Sequence, residues 1–451
     1  MSPLPPGPQE IRSKSLALSG LRERPLEFIV EMAAQFGDLV YFGSRRDPIV
    51  FVNHPDLVRD VLVSRPQTFV RADVVCNALQ VFDGESILVT EGDQWRQQRR
   101  LLQEGFRGER LRIYAHEAAA QTREMLRHWP SVGAIHFGGE MAALCVKVLF
   151  RIVLGTEPTP DLVDSIRVVL DARAVEAGRA IATESPQAAD STPGTDQALR
   201  RVHQFLDELI CLRRREREDQ GDILSMLVRP GRKDADDRVS REQVDRRIRD
   251  EMISMINASL DPTAAAMQWA LCLVAKHDGV QERLRRELTL AVAGRKELSA
   301  EMAELPYTEM AIHESLRLYP PNWMLIPRRC RAETNLGGYR IPRGSWLYVF
   351  PYVIHRDARW FTQPELFDPD RFAPDNFGAL QRSAYMPLGL GPHVCIGKAL
   401  STIILTTMLA CILQEFRVDL AADQPDVKPH VGIVASPKSD SGLIVTRLNT
   451  Q

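Results

Sequence analysis

Two short apolar runs near the start of the chain, Leu39–Phe42 and Ile49–Val52, flank a link that begins at Gly43 and ends at Pro48. Runs of this kind around a Gly/Pro-bearing connection predict a β-hairpin. Beyond them apolar positions recur mostly at helical spacing. Ser240-Arg-Glu-Gln243 has the pattern of a capping box, and helical periodicity continues behind it to about Lys276. An average helix has only ~11–12 residues, so this one is expected to run through the middle of the molecule. Asn335–Pro342 and Ser345–Phe350 read as strands, the stretch 355–394 is loop-rich, and an apolar helix follows from about Cys395.

Within that helix, Ser401, Thr402, Thr406 and Thr407 interrupt the apolar run Ala399–Leu413. The run is also shorter than the ~20 residues that span a bilayer, which predicts a buried core helix. The interval from Ala182 to Gln197 is small, polar and proline-bearing, with Pro186 and Pro193, and reads as a mobile loop between two helices that could cover a pocket. No linker divides the chain, so a proline-rich leader over residues 1–20 is followed by one domain, 21–451.

Composition removes several function classes. Of 451 residues, 44% are hydrophobic and 26% charged, an ordinary globular balance. A net charge of -2 offers no bulk attraction to nucleic acid or an anionic membrane. The start, Met-Ser-Pro-Leu-Pro-Pro-Gly-Pro, has neither basic n-region nor apolar stretch, so no signal peptide or membrane anchor is expected and the protein reads as soluble and cytoplasmic. The cysteines, at 76, 145, 211, 272, 330, 395 and 411, are scattered and form no C-x-x-C pair, which argues against a disulfide framework or zinc knuckle.

One cysteine differs from the rest. Leu388-Gly-Leu-Gly-Pro-His-Val-Cys395-Ile-Gly397 sets a thiol between glycines just before the apolar helix, where the helix dipole and backbone N–H groups favour a thiolate. Gly391 and Gly397 would let a flat macrocycle approach the backbone. The segment resembles the cysteine-ligand signature of the cytochrome P-450 family, F-x-x-G-x-R-x-C-x-G. Gly391, Cys395 and Gly397 match, while Leu388 stands at the aromatic position and His393 at the arginine. The resemblance implies a mainly α, prism-shaped fold with a small β-rich subregion, haem b (iron protoporphyrin IX) with Cys395 as the iron's thiolate ligand, and His393 bonding a haem propionate.

Further segments resemble the family in the same order. Glu314 and Arg317 stand three apart, and Arg371 in Phe367-Asp-Pro-Asp-Arg-Phe372 matches the third member of the family's buried Glu–Arg–Arg triad. Trp95 and Arg99 form W-x-x-x-R, two donors on one helical face, which the resemblance makes propionate partners together with Arg328. Ala258-Ser-Leu-Asp-Pro-Thr263 resembles the oxygen-activation motif A-G-x-(D/E)-T-T, with Ser259 for the glycine and Pro262 for the first threonine. Asp261, Thr263 and Ser259 are then the candidates for moving protons, with Ala258 lining the haem.

The activity implied is monooxygenation of a small apolar substrate with dioxygen, with electrons from a ferredoxin or flavodoxin and its reductase. Arg96, Arg100, Arg107 and Lys398 would form the docking surface. By the same resemblance Phe82, Trp323, Met324, Ile433 and Val434 are candidates to line an apolar pocket. The proline at 262 keeps a haem-thiolate peroxygenase or oxygen-independent rearrangement enzyme open as an alternative, and a non-catalytic haem-binding protein is a third reading.

Overall fold

The computed structural model describes residues 2–8, 13–43, 48–183, 192–216, 218–229, 240–292, 305–421, 427–438 and 442–448. The central helix, Arg241–Lys276, has 36 residues and starts where the capping box predicts. The Ser240 hydroxyl accepts the Gln243 N–H at 3.2 Å, and the Gln243 side-chain oxygen accepts the Ser240 N–H at 2.9 Å. From Ala264 to Ala275 every residue is buried, so this half runs through the core with no solvent face. Phe137–Leu154, Pro193–Glu216, Pro306–Leu318 and Lys398–Glu415 pack around it and share its main apolar core.

Among the described residues, Lys398–Glu415 is the one helix long and apolar enough to cross a bilayer, and Ile404–Leu413 is nearly all buried in that core. It begins three residues after Cys395. Gly397 is its N-cap residue, and the Gly397 carbonyl takes the Ser401 N–H at 2.7 Å. Cys395 therefore lies in the loop before the helix rather than in its first turn.

The β-rich region is a five-stranded sheet in the order Leu39–Phe42, Ile49–Val52, Trp346–Val349, Arg328–Cys330, Phe69–Arg71. The first two strands pair antiparallel, Leu39 opposite Val52, as the hairpin reading requires. The run Asn335–Pro342 departs from its prediction as one strand. It is a hairpin of Thr334–Leu336 and Tyr339–Ile341, because Gly337 and Gly338 take φ of 58° and 84° and turn the chain back. Proline-rich residues 2–8 attach to this side. The Tyr41 N–H meets the Pro6 carbonyl and the Arg340 N–H meets the Pro3 carbonyl, each at 2.8 Å, before a helix at Ser13–Glu23.

The interval 182–197 is shorter as a loop than expected. One helix runs to Thr183, and the next starts at Pro193, whose fixed φ suits a first helical turn. Residues 184–191, on which the reading of a mobile cover rests, lie outside the described residues.

Candidate active site

The loop before the apolar helix is built from its own backbone. The Met386 carbonyl accepts the Gly389 N–H at 3.1 Å, Leu388 accepts the Cys395 N–H at 3.0 Å, and Gly391 accepts the Val394 N–H at 3.0 Å. Gly389 and Gly391 hold φ of 80° and 78°, the left-handed region that other residues avoid. A Cβ on Gly391 would stand 2.4 Å from the carbonyl oxygen of Leu62. Glycine is thus required there by a crossing backbone, not by a planar ligand. At Gly397 a Cβ would lie 3.8 Å from the Cys395 sulfur, so its absence leaves ground open beside the thiol.

All seven cysteines are free. Cys395 is surrounded by protein on every side yet its side chain is uncovered, because it faces an internal space rather than packed atoms. Burial pushes its thiol up, and the Gly397 N–H and the Arg99 charge only partly counter this. A thiolate here needs a metal cation on the sulfur, which deprotonates a coordinating thiol outright. Among the described residues no three His, Cys, Asp or Glu side chains cluster as a metal site, so an ion at Cys395 must bring its remaining ligands with it. An iron porphyrin does.

One end of this space is cationic. Arg99, on the helix Gly92–Gln103, donates to the Val394 carbonyl at 2.7 Å and so grips the cysteine loop. One turn earlier, the Trp95 ring lies 4.3 Å from that of His393. Arg328 points inward and donates to the Ile326 carbonyl at 2.7 Å, and burial lowers its pKa to about 10. Strand alternation turns the next residue, Arg329, the other way, over the ring of Trp346.

Two residues of this cluster escape sequence reasoning. Arg71 is almost fully buried at the end of a strand, donating to Glu91 at 2.5 Å and to the carbonyls of Leu88 and Thr90. Glu91 also lies 3.5 Å from Nε2 of His393. Burial raises the Glu91 pKa, but His393 and Arg71 outweigh it and bring it down to about 2. Nδ1 of His393 is buried with no partner among the described residues. Three guanidinium groups, Arg71, Arg99 and Arg328, against the one carboxylate of Glu91 leave an excess of two positive charges. The two propionates of haem b carry the matching two negative charges, so these residues fit the cofactor.

On the central helix, Ala258 and Asp261 are uncovered although Asn257, Leu260 and Ala264 beside them are buried, so the helix borders an internal space here. Burial pushes the Asp261 carboxyl up, with Arg167 and Arg173 opposing and Asp171 adding to the shift. The helix continues through Pro262 without a break. The Ser259 hydroxyl donates back to the Ile256 carbonyl at 3.3 Å, whereas that of Thr263 makes no hydrogen bond among the described residues.

Residues 83–91 form a strap across the first half of this helix. Asp83 accepts from Asn257 at 2.9 Å and from Arg173 at 2.9 Å. Asp250 accepts the Glu85 N–H at 3.0 Å, and Glu251 accepts the Ile87 N–H. A Cβ on Gly84 would stand 2.2 Å from the Asp250 carboxyl carbon.

Glu314 and Arg317 are fully buried and joined by two bonds, at 2.6 and 2.7 Å. Arg371 reaches Glu314 at 3.3 Å, and the Asp368 N–H reaches it at 3.1 Å. Of the pocket candidates, Phe82 is packed against Val169 and Ala198, and Trp323 is stacked on Phe350 with its N–H on the Gly432 carbonyl at 2.9 Å. Met324, Ile433 and Val434 are half-buried. Arg96, Arg100, Arg107 and Lys398 are all exposed, with Arg96 paired to Asp93.

Known proteins resemble this chain in sequence over nearly its whole length. The cytochrome P-450 family model matches residues 3–443. Cyclooctat-9-en-7-ol 5-monooxygenase of Streptomyces melanosporofaciens is 32% identical, over 88% of this chain and 86% of its own. Cyclooctatin synthase of the same organism is 30% identical, over 92% and 91% respectively. Pentalenene oxygenase of Streptomyces avermitilis is 26% identical over 91% and 90%. The cysteine loop, the Glu–Arg–Arg cluster and the long central helix thus stand in a chain that belongs to the cytochrome P-450 family.

Proposed function

We propose that this P-450 monooxygenase holds its haem b through Cys395 and hydroxylates a cyclic alkene or alkenol, in a soluble cytoplasmic enzyme fed by a ferredoxin or flavodoxin. Family membership carries the oxidoreductase class, the haem iron, dioxygen as co-substrate and an apolar organic substrate. The haem supplies the iron that binds and activates dioxygen, and a thiolate ligand favours O–O cleavage.

The observation that carries the reading is Cys395 itself, a deep but uncovered thiol at the end of a backbone-bonded loop. Trp95, Arg99, Arg328, His393 and Arg71 would hold the propionates, with Gly391 and Gly397 shaping the loop and Ala258 bordering the cofactor. Asp261 would admit protons, which Ser259 or Thr263 and ordered water would pass on. Met324, Ile433 and Val434 offer apolar surface to the substrate. The names of the relatives, a cyclic alkenol 5-monooxygenase and a cyclic alkene oxygenase, favour that substrate class.

The test pairs spectroscopy with turnover. The ferrous carbon monoxide complex should show the red-shifted Soret band of thiolate ligation, and Cys395→Ser should abolish it. With a surrogate ferredoxin and reductase, cyclic alkenes and alkenols should shift the resting Soret band and yield hydroxylated products. A Cys395→Ser protein that keeps the band would overturn the ligand assignment. Turnover of linear fatty acids in preference to cyclic compounds would overturn the substrate class.

A further inference from the structure

Arg317 and His355 hold each other reciprocally. The Arg317 guanidinium donates to the His355 carbonyl at 2.7 Å, and Nδ1 of His355 lies 3.1 Å from the Arg317 carbonyl. A carbonyl only accepts, so Nδ1 carries the ring hydrogen. The other nitrogen, Nε2, then has a free lone pair, and it faces the backbone N–H of Met386 at 2.9 Å. The tautomer is fixed by its partners at both ends. His355 is fully buried, and burial, with Arg317 and Arg356 nearby, brings its pKa down to about 3. The ring is neutral across the working pH range, as acceptance at Nε2 requires.

Met386 opens the loop that ends at Cys395. Through its carbonyl and the Gly389 N–H, then through the Leu388 carbonyl and the Cys395 N–H, a continuous set of short contacts joins the fully buried Glu314–Arg317 pair to the sulfur-bearing residue. Aromatic rings hold the imidazole plane: Tyr385 stacks at 5.5 Å and Phe361 meets it edge-on at 6.3 Å.

We propose that His355 is a positioning residue for the thiolate: as its Nδ1–H tautomer it fixes the start of the Cys395 loop to the buried Glu314–Arg317 pair by accepting the Met386 N–H. The proposal rests on Cys395 being the haem ligand. Without the acceptor, the Met386 N–H is a buried orphan and the loop gains freedom to relax, changing the hydrogen bonding and place of the sulfur.

Two substitutions in the haem-loaded protein separate this role from mere packing. His355→Gln can set an amide oxygen near the Nε2 position and keep the Met386 link. His355→Asn keeps a donor for the Arg317 carbonyl but does not reach Met386. The readouts are the haem reduction potential, the rate at which the red-shifted carbon monoxide band is lost in mild denaturant, and the urea midpoint. His355→Gln should stay near wild type, whereas His355→Asn should lose the band about five-fold faster, the factor expected for one net hydrogen bond, with a displaced potential.

If the two variants match each other in potential and band loss, whatever their urea midpoints, the proposal is wrong. Should neither variant load haem, the wild-type imidazole still decides. Nitrogen NMR of labelled histidine should show an Nδ1–H neutral ring at pH 7, and an Nε2–H ring would overturn the assignment. Failure of the ligand reading looks different, since wild type itself would then lack the band.

Discussion

Glu251 receives the backbone N–H of Ile87 between its two carboxylate oxygens, at 3.1 and 3.2 Å, and no guanidinium or ammonium pairs with it among the described residues. Burial dominates its titration and raises its pKa to about 8, with neighbouring Asp250 adding to the shift. In the unfolded chain the same group titrates near 4.5. The folded protein therefore binds more protons between those values, and the stability Glu251 contributes is full below pH 4.5 and lost as pH rises through 8. Glu251→Gln keeps an acceptor for Ile87 and removes that loss. It should gain on wild type by on the order of a few kcal/mol between pH 5 and pH 8.5, read as urea midpoints at both values. Parallel pH profiles would show that Glu251 is not neutral when buried.

Gly391 and Gly389 share a left-handed φ but not their surroundings. Gly389→Ala should cost about 1–2 kcal/mol of conformational strain, because a Cβ there meets nothing closer than 4.0 Å. Gly391→Ala adds the collision with the Leu62 carbonyl and should cost more, with lower haem content in the purified protein. Urea denaturation of both variants checks the order, and a larger loss at Gly389 would contradict it.

Glu314→Gln leaves Arg317 without its counter-charge where neither side chain touches water. A loss of about 3–5 kcal/mol is expected. Arg371→Met, at the rim of the cluster, should cost less because Arg317 still neutralises Glu314. Thermal or urea unfolding of the two proteins measures the difference.

Pro262 places no hydroxyl between Asp261 and Thr263, and Ser259 spends its hydrogen on the Ile256 carbonyl. Pro262→Thr should restore a helical N–H and a hydroxyl near Ala258, lowering the peroxide released per NAD(P)H consumed. Thr263→Ala should raise it if that hydroxyl carries protons. Equal leakage from Thr263→Ala, Ser259→Ala and wild type would move the proton source to water or to the substrate.

Reversing charge at Arg96 and Arg100, both exposed on the helix that carries Trp95 and Arg99, should slow reduction by an acidic ferredoxin most at low salt, where screening is weakest. The substrate-induced Soret shift should be unchanged. Stopped-flow reduction at two ionic strengths tests this, and unaltered rates at low salt would put docking on another face.

Sequence reading reached the features whose evidence is local. Cys395 between glycines, Glu314 and Arg317 three apart, and the Ser240 capping box each carry their pattern within ten residues. What it missed acts across long separations and on backbone groups. Arg99 bonds the carbonyl of Val394, Glu251 the N–H of Ile87, and His355 the N–H of Met386. A backbone partner leaves no trace in residue type, so no spacing pattern could have marked Arg71, Glu251 or His355, and Glu91 meets its side-chain partners Arg71 and His393 only across 20 residues or more. Pro193 and the pair Gly337-Gly338 were visible, but a proline also begins helices and a glycine pair can fold one apparent strand into two.

The strap across the central helix is anchored through the N–H groups of Glu85 and Ile87 and the carbonyls of Leu88 and Thr90. Any amino acid supplies such a carbonyl, and any except proline supplies such an N–H. Selection can therefore exchange the side chains at 85, 87 and 88 while the path of the chain stays as it is, whereas Gly84, pressed against Asp250, and Asp83 and Glu91, which anchor through their carboxylates, are barred from change. A lineage could vary these positions one mutation at a time without first losing the shape of the strap.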